Sequence, residues 1–300
     1  MPSQLMSTAC TRRGVVTTAD ALAAGLTTAN VRGLVRAGFF IPVFRGAYVL
    51  RTHVSADGPT LWQRCMAAAL LVGRKAVISG ATAVALDGIQ GGPQSQQIEI
   101  TLHPSGTRHQ RGDDIRLRWG ALDPKDVMEI EGLLVQRPLA ALREAALDWT
   151  REHAVSAFDS ALHLGRVRPV ELKRLGTESP ALEPWIALAD GRAESPLETR
   201  GRLIWTDGGV PPDFLQHEVK LGGRVIARLD AAWIRPGLKL AVELDGRGPH
   251  DQPEALYRDR SRQADLQALG WLVIRVTWDD VIHRPRLVLE RVLRELLRVE

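Results

Sequence analysis

The segment GLKLAVELDG, Gly237 to Gly246, constrains the fold more than any other stretch of the chain. Leu240, Val242 and Leu244 alternate with Lys239, Ala241, Glu243 and Asp245, which is the two-residue period of a β-strand with one apolar face. The second face then closes on two carboxylates, Glu243 and Asp245, with a glycine directly behind them. On one strand face such groups stand roughly 6–7 Å apart and repel by about 2–3 kcal/mol at an effective dielectric near 20. A strand that ends this way calls for a cation.

The flanking sequence supplies the rest of a domain. ESPLETRGRLIW places Ser195 at an N-cap, Pro196 at the first helical position and Glu198 three residues after the serine, a capping box opening a helix to about Thr206. QHEVKLGGRVIARLDAAW is a hairpin turning at Gly222-Gly223, and a Pro-Gly turn leads into the acidic strand. DQPEALYRDRSRQADLQALG is a helix begun at Asp251 or Gln252, carried by Leu256, Leu266 and Leu269, and closed by Gly270. WLVIRVT is a further strand, and Pro285 opens a last helix. The order α-β-β-β-α-β predicts a mixed sheet flanked by helices.

In that sheet Asp230 is expected late in the second strand, just before the turn into the strand of Glu243 and Asp245. Three carboxylates converging there would suit Mg²⁺ or Mn²⁺, which take hard oxygen ligands. The bland alternatives are a solvated strand end for Glu243 and Asp245, a helix cap for Glu198, a turn for Asp230 and a loop position for His250 in RGPHD. Arg258, Arg262 and Asp265 fall on one helical face, either a phosphate-facing stripe or an ion-paired exposed surface.

The amino-terminal part carries different punctuation. Thr17 with Asp20 caps a short helix stopped by Gly25, and Thr27 or Thr28 caps a second helix ending at Gly38. Phe39–Val43 and Ala47–Leu50 follow as β-prone pieces joined by Arg45-Gly46. Helix, glycine turn, helix and hairpin is the order of a winged helix-turn-helix. Arg32 and Arg36 share a stripe of the second helix, and with Arg45 of the wing they are the candidate contacts to double-stranded DNA. Before residue 60, six arginines (Arg12, Arg13, Arg32, Arg36, Arg45 and Arg51) face only Asp20 and Asp57.

Between these parts, LWQRCMAAALLVG and ISGATAVALDGI read as helices, and QQIEITLHP, DIRLRWG and GLLVQRP as strands. PLAALREAALDWTREHAVSAFDSALHLGRV reads as helix broken by turns, and GTESPALEPW, Gly176 to Trp185, as a polar, proline-punctuated boundary. The expected organisation is therefore α+β or mixed α/β in three parts: a winged helix over 1–58, an α/β middle domain over 59–185, and an α-β-β-β-α-β domain over 190–300. Two cysteines, Cys10 and Cys65, make neither a disulfide framework nor a metal motif. The start has no apolar signal core and no apolar run is long enough to span a bilayer, so a soluble cytoplasmic protein is expected.

The combination SPLE…LDAAW…KLAVELDG…H…DRSRQADLQALGWLVIRV resembles the very-short-patch-repair-like branch of the PD-(D/E)XK nucleases, over roughly 190–298. The resemblance implies a restriction-endonuclease-like fold and Mg²⁺-dependent DNA cleavage. It matches Asp230 to the aspartate of the second strand, Glu243 and Asp245 to the acidic pair, His250 to the histidine that follows, and Glu198 to the acidic residue of the first helix. Asp259 and Arg262 fit its D-x-x-R pattern. Asp245 stands where that superfamily has a lysine, Leu229 where a proline often precedes the aspartate, and His250 lies beyond the common spacing. TTADALAAGLTTANVRGLVRAGFFIPVFRGAYVL with ISGATAVALDGI is similar to AbiEi-type antitoxins of toxin–antitoxin systems, which implies a DNA-binding repressor. The expectation is a DNA-binding protein with a metal-dependent endonuclease domain, in phage defence or repair. A non-cleaving antitoxin-like repressor with a degenerate nuclease fold is the alternative, and a toxin partner or homodimer is a further expectation.

Overall fold

A computed structural model of the chain describes residues 1–73, 75–103, 114–246 and 253–298, with the backbone alone over 253–259. It divides into two compact units, Met1–Trp149 and Thr150–Glu300.

The first unit begins with α1 (Ser3–Thr11), β1 (Val15–Thr17), α2 (Thr18–Ala23), α3 (Thr28–Arg36), β2 (Phe40–Phe44) and β3 (Ala47–Leu50). Both caps foreseen in the sequence form as reciprocal boxes. The Thr17 hydroxyl accepts from Asp20 N at 3.1 Å while Thr17 N donates to Asp20 Oδ2 at 2.8 Å, and Thr27 and Asn30 repeat the arrangement. The hairpin turns at Gly46, whose φ of +93° a side chain would strain. Two elements go beyond the expected hairpin: α1, which buries Leu5 and Ala9, and β1, which joins the wing as an edge strand in the order β1-β3-β2.

The rest of this unit is α4 (Leu61–Val72), β4 (Val77–Ile78), α5 (Gly80–Leu86), β5 (Ile98–Leu102), β6 (Ile115–Trp119), β7 (Val127–Ile130), β8 (Leu133–Gln136) and α6 (Pro138–Ala146). The strands form one sheet in the order β6-β5-β4-β8-β7. Ile78, Ile98, Ile100 and Leu133 are buried in it.

The second unit holds α7 (Arg151–His163), α8 (Pro169–Glu178), α9 (Glu183–Ile186), α10 (Pro196–Asp207), β9 (Phe214–Leu221), β10 (Arg224–Arg235), β11 (Leu238–Asp245), α11 (Pro253–Ala268), β12 (Trp271–Thr277), α12 (Trp278–His283) and α13 (Pro285–Leu296). Its sheet runs β12-β11-β10-β9, antiparallel except for the parallel pair β11–β12, so the expected mixed sheet is present. Both faces are covered. Leu240, Val242, Ala231 and Trp233 pack with Trp205 of α10 and Val288 and Val292 of α13. Ala241, Leu229 and Ala232 pack on the other face with Leu266 of α11. Trp205 and Trp233 meet edge to face, with centroids 5.1 Å apart.

A boundary was expected between about 176 and 190, yet residues 151–186 group with the second unit. The reason is a buried polar knot. Asp159 of α7, 1% exposed, accepts from Arg202 Nη2 and Thr199 Oγ1 of α10 at 2.7 Å each, and from Asp190 N at 2.6 Å. Arg202 also donates to Leu188 O at 2.7 Å. Separating α7 from α10 would leave this guanidinium and carboxylate uncompensated.

Candidate functional site: an acidic cluster on the four-stranded sheet

The site forms where the pleat of β9 and β10 is interrupted. Leu229 and Ala231 are two residues apart and should share a face, but Leu229 packs on the α11 side and Ala231 on the α10 side. Leu215 and Val219 of β9 divide the same way. Registered pairs Leu229–His217 and Ala231–Leu215 bracket the break, which leaves Asp230 opposite Gln216. Gln216 has φ +51°, a left-handed conformation that costs a non-glycine residue roughly 1–3 kcal/mol.

That backbone aims the Gln216 amide at two acids. Its Nε2 donates to Glu198 Oε2 at 2.7 Å and, more weakly, to Asp230 Oδ1 at 3.4 Å. Asp230 Oδ2 accepts from Leu244 N of β11 at 2.8 Å. Glu198 is fixed independently: Ser195 Oγ donates to its Oε1 at 2.8 Å and Glu194 N to its Oε2 at 2.9 Å. The expected cap is therefore real, with Ser195 Oγ accepting from Glu198 N at 3.3 Å, although the return arm reaches Glu194 N instead of Ser195 N. Glu198 serves the cap and the cluster at once.

Glu243 is buried, at 7% exposure, on the opposite-facing side of β11 from Leu244. Its Oε2 pairs with Arg262 Nη2 of α11 at 2.9 Å, and Arg275 Nε approaches to 3.7 Å from the directly registered position of β12. Burial pushes the Asp230 carboxyl up to about 6, with Glu198 and Glu243 adding to the rise while the Leu244 N–H and the Gln216 amide oppose it. Asp230 thus keeps its proton to a higher pH than an ordinary aspartate, and a neighbouring positive charge would lower that value.

Several expectations change here. Asp230 lies mid-strand, because β10 continues to Arg235 before the turn at Gly237. It reaches the acidic strand sideways, across the ladder. Its charged neighbours are Glu198 and Glu243, and Asp245, opposite Thr277 two residues further on, is not among them. Arg262 is committed to Glu243, which removes it as a free phosphate contact in this state. Lys239 Nζ donates to Leu269 O at 3.1 Å and caps the end of α11. His250 and the side chains of Arg258 and Asp259 lie outside the described residues.

Two contributors had gone unnoticed in the sequence. Arg275 had a signal, as the lone charge in an apolar strand. Gln216 had none, since nothing marks a glutamine for positive φ.

Hard carboxylate oxygens are what Mg²⁺ and Mn²⁺ take, so the donor chemistry of Glu198, Asp230 and Glu243 fits such an ion. These carboxylates are engaged by the Gln216 amide, the Ser195 hydroxyl, the Glu194 and Leu244 N–H groups and two guanidinium groups. Among the described residues no three His, Cys, Asp or Glu side chains are grouped to hold a metal. The convergence of Asp230, Glu243 and Asp245 expected from the sequence is not among such groupings.

In the first unit, Arg32, Arg36 and Arg45 are exposed, and none of them forms an ion pair among the described residues. Arg32 and Arg45 line one open cleft with Thr18, Thr28 and Tyr48, and Arg36 sits a turn further along α3.

Comparison with known proteins defines the class first. Residues 4–51 match a family model described as a transcriptional regulator, AbiEi antitoxin, and residues 215–296 match the restriction-endonuclease-like model REase_MTES_1575. The chain joins an AbiEi-type DNA-binding regulator domain to a restriction-endonuclease-like domain. It is also 30% identical over 272 residues to two Mycobacterium tuberculosis proteins, Uncharacterized protein MT2308 (strain CDC 1551 / Oshkosh) and Uncharacterized protein Rv2248 (strain ATCC 25618 / H37Rv). Each alignment covers 88% of this chain and 95% of the relative, so the chain belongs to the same family as these two proteins. Among the described residues no helix is long and apolar enough to cross a membrane.

Proposed function

We propose that the protein binds double-stranded DNA through its winged helix and hydrolyses phosphodiester bonds in its second unit with the help of Mg²⁺ or Mn²⁺. The observation that carries the catalytic half is the gathering of Glu198, Asp230 and Glu243 from three separate elements around a break in the sheet. Glu198 and Glu243 both raise the Asp230 carboxyl, so a cation bound beside Asp230 would be favoured. Asp230 and Glu243 are the residues that would hold the ion, with Glu198 beside them. The cation would supply charge neutralisation and polarisation of a phosphate. Arg262 and Arg275, already beside Glu243, would turn to an incoming phosphate once Glu243 changes partner. Gln216 keeps Glu198 and Asp230 together meanwhile.

The DNA-binding half rests on Arg32, Arg36 and Arg45, which are exposed and form no ion pair among the described residues. Replacing Arg32 and Arg36 by alanine should weaken duplex binding across sequences and lower the salt slope by about one per lost phosphate contact.

A second reading has its own support. The engagement of Glu243 by two arginines, and the absence of a metal-ready trio among the described residues, favour a regulator that grips DNA without cutting it. Supercoiled plasmid incubated with Mg²⁺ or Mn²⁺ separates the two. Cleavage by the wild type that disappears in Asp230→Ala, Glu243→Ala supports the nuclease; cleavage unchanged in that variant, or none by the wild type, supports the regulator.

A further inference from the structure

We propose that the cleft between the winged helix and α4 is a binding site for a nucleoside monophosphate, which competes with DNA for Arg32 and Arg45. The proposal goes beyond the DNA-binding reading and relies on it only for the competition. The cavity, of about 480 Å³, lies wholly within the first unit. That is the size of a small-molecule site.

Its lining carries both charged and apolar groups. Arg32 of α3 and Arg45 of the wing turn line it together with Thr18, Thr28 and Tyr48. Neither arginine has a carboxylate partner among the described residues, so both guanidinium groups lining the cleft can take an anion there. Thr18 Oγ1 and the Tyr48 hydroxyl are 3.3 Å apart, a pair able to donate or accept toward a sugar or phosphate. Val31, Leu70, Leu71 and Ile115 add apolar surface to the lining, which a flat base could contact.

The wing turn is drawn toward this cleft. Gly46 O accepts from Thr18 N at 2.9 Å, and a Cβ at Gly46 would meet Leu71 Cδ2 and Thr18 Oγ1 at 3.7 Å. Arg45 is thereby held at the mouth beside α4. An anion there would occupy both guanidinium groups on which the wing and α3 rely for phosphate contact.

The test uses the full chain, with AMP, GMP, CMP and UMP titrated calorimetrically beside adenosine and inorganic phosphate, and a labelled duplex followed by anisotropy. At least one monophosphate should bind about tenfold or more tightly than adenosine or phosphate alone, the worth of one charge-assisted hydrogen bond. Arg32→Ala, Arg45→Ala and the cleft-filling Leu71→Trp should each weaken it by about tenfold or more. The nucleotide should also displace the duplex. A melting scan identifies any variant that fails to fold, and the remaining variants then decide. No nucleotide binding at about 5 mM, or binding indifferent to all folded variants, overturns the proposal. If Arg45→Ala weakens the duplex while no nucleotide binds, the cleft is a backbone-phosphate contact; the inference then fails and the DNA-binding reading stands. If neither arginine variant weakens the duplex while the wild type still binds nucleotide, the competition for Arg32 and Arg45 is overturned along with the DNA-binding role of these residues.

Discussion

Gln216 is where local preference and site geometry conflict. Its φ of +51° is tolerable for glycine, yet a glycine could not bridge Glu198 and Asp230. Gln216→Gly and Gln216→Ala both lose the bridge, but only the alanine keeps the backbone strain. The glycine variant should therefore be the more stable of the two, by about 1 kcal/mol in urea unfolding, against the usual order in a strand. Equal stabilities, or a more stable alanine, would mean that the conformation is not strained. Asp230 allows a companion test. Its folded-state value near 6 lies above the ordinary 3.8, so protonation favours the folded protein. The stabilisation is complete below about pH 4 and lost as pH rises through about 6. Asp230→Asn should thus gain about 1–3 kcal/mol over the wild type at pH 8 and little at about pH 3.5. A difference between the two proteins that is the same at both pH values would contradict the assigned environment.

At the scale of elements, periodicity was readable wherever an element obeys it. The alternation in β11, the glycine turns at Gly222-Gly223 and Gly237, and the caps at Thr17, Thr27 and Ser195 were all written in residue types that have one physical use. The two-residue β4 is too short to display a period, and α1 shows only Leu5 and Ala9 in helical spacing. The short α12 carried a signal that passed unread: Thr277 and Asp280 form a capping box immediately after β12. The pleat break at Gln216–Asp230 had no such signal, because it arises from the ladder between two strands and not from either strand alone. The link between α7 and α10 was likewise hidden, since Asp159 and Arg202 are far apart in sequence. Burial pushes the Asp159 carboxyl up, and Arg202, the Asp190 N–H and the Thr199 hydroxyl oppose that. Asp159→Ala should cost about 3–5 kcal/mol by stranding Arg202, a loss visible as an early thermal transition of the second unit. A loss below about 1 kcal/mol would show that the pair is dispensable.

For the molecule as a whole, the order of parts was legible and their limits were not. The sequence places a winged helix first and a restriction-endonuclease-like domain last, as the matched residues 4–51 and 215–296 do. Composition alone suggested a cut before 190, whereas contacts group 150–300. A fragment of residues 150–300 should unfold cooperatively, and a fragment of 190–300, lacking α7 to α9, should melt at a lower temperature or without a cooperative transition. Equal melting of the two would restore the boundary that the sequence suggested. The site itself was legible in part: Glu198, Asp230 and Glu243 stood out as acids, but their grouping, the amide between them and the arginines on Glu243 required the fold.

Calorimetric titration of the full chain with Mn²⁺ addresses the acidic cluster most directly, beside Asp230→Asn and Glu243→Gln. Saturable binding in the wild type that is weakened about tenfold or more in both variants, with more protons released at about pH 5.5 than at about pH 8 as Asp230 ionises, is the expected result. Heats indistinguishable from dilution, or equal binding by all three proteins, would show that these acids do not hold a cation.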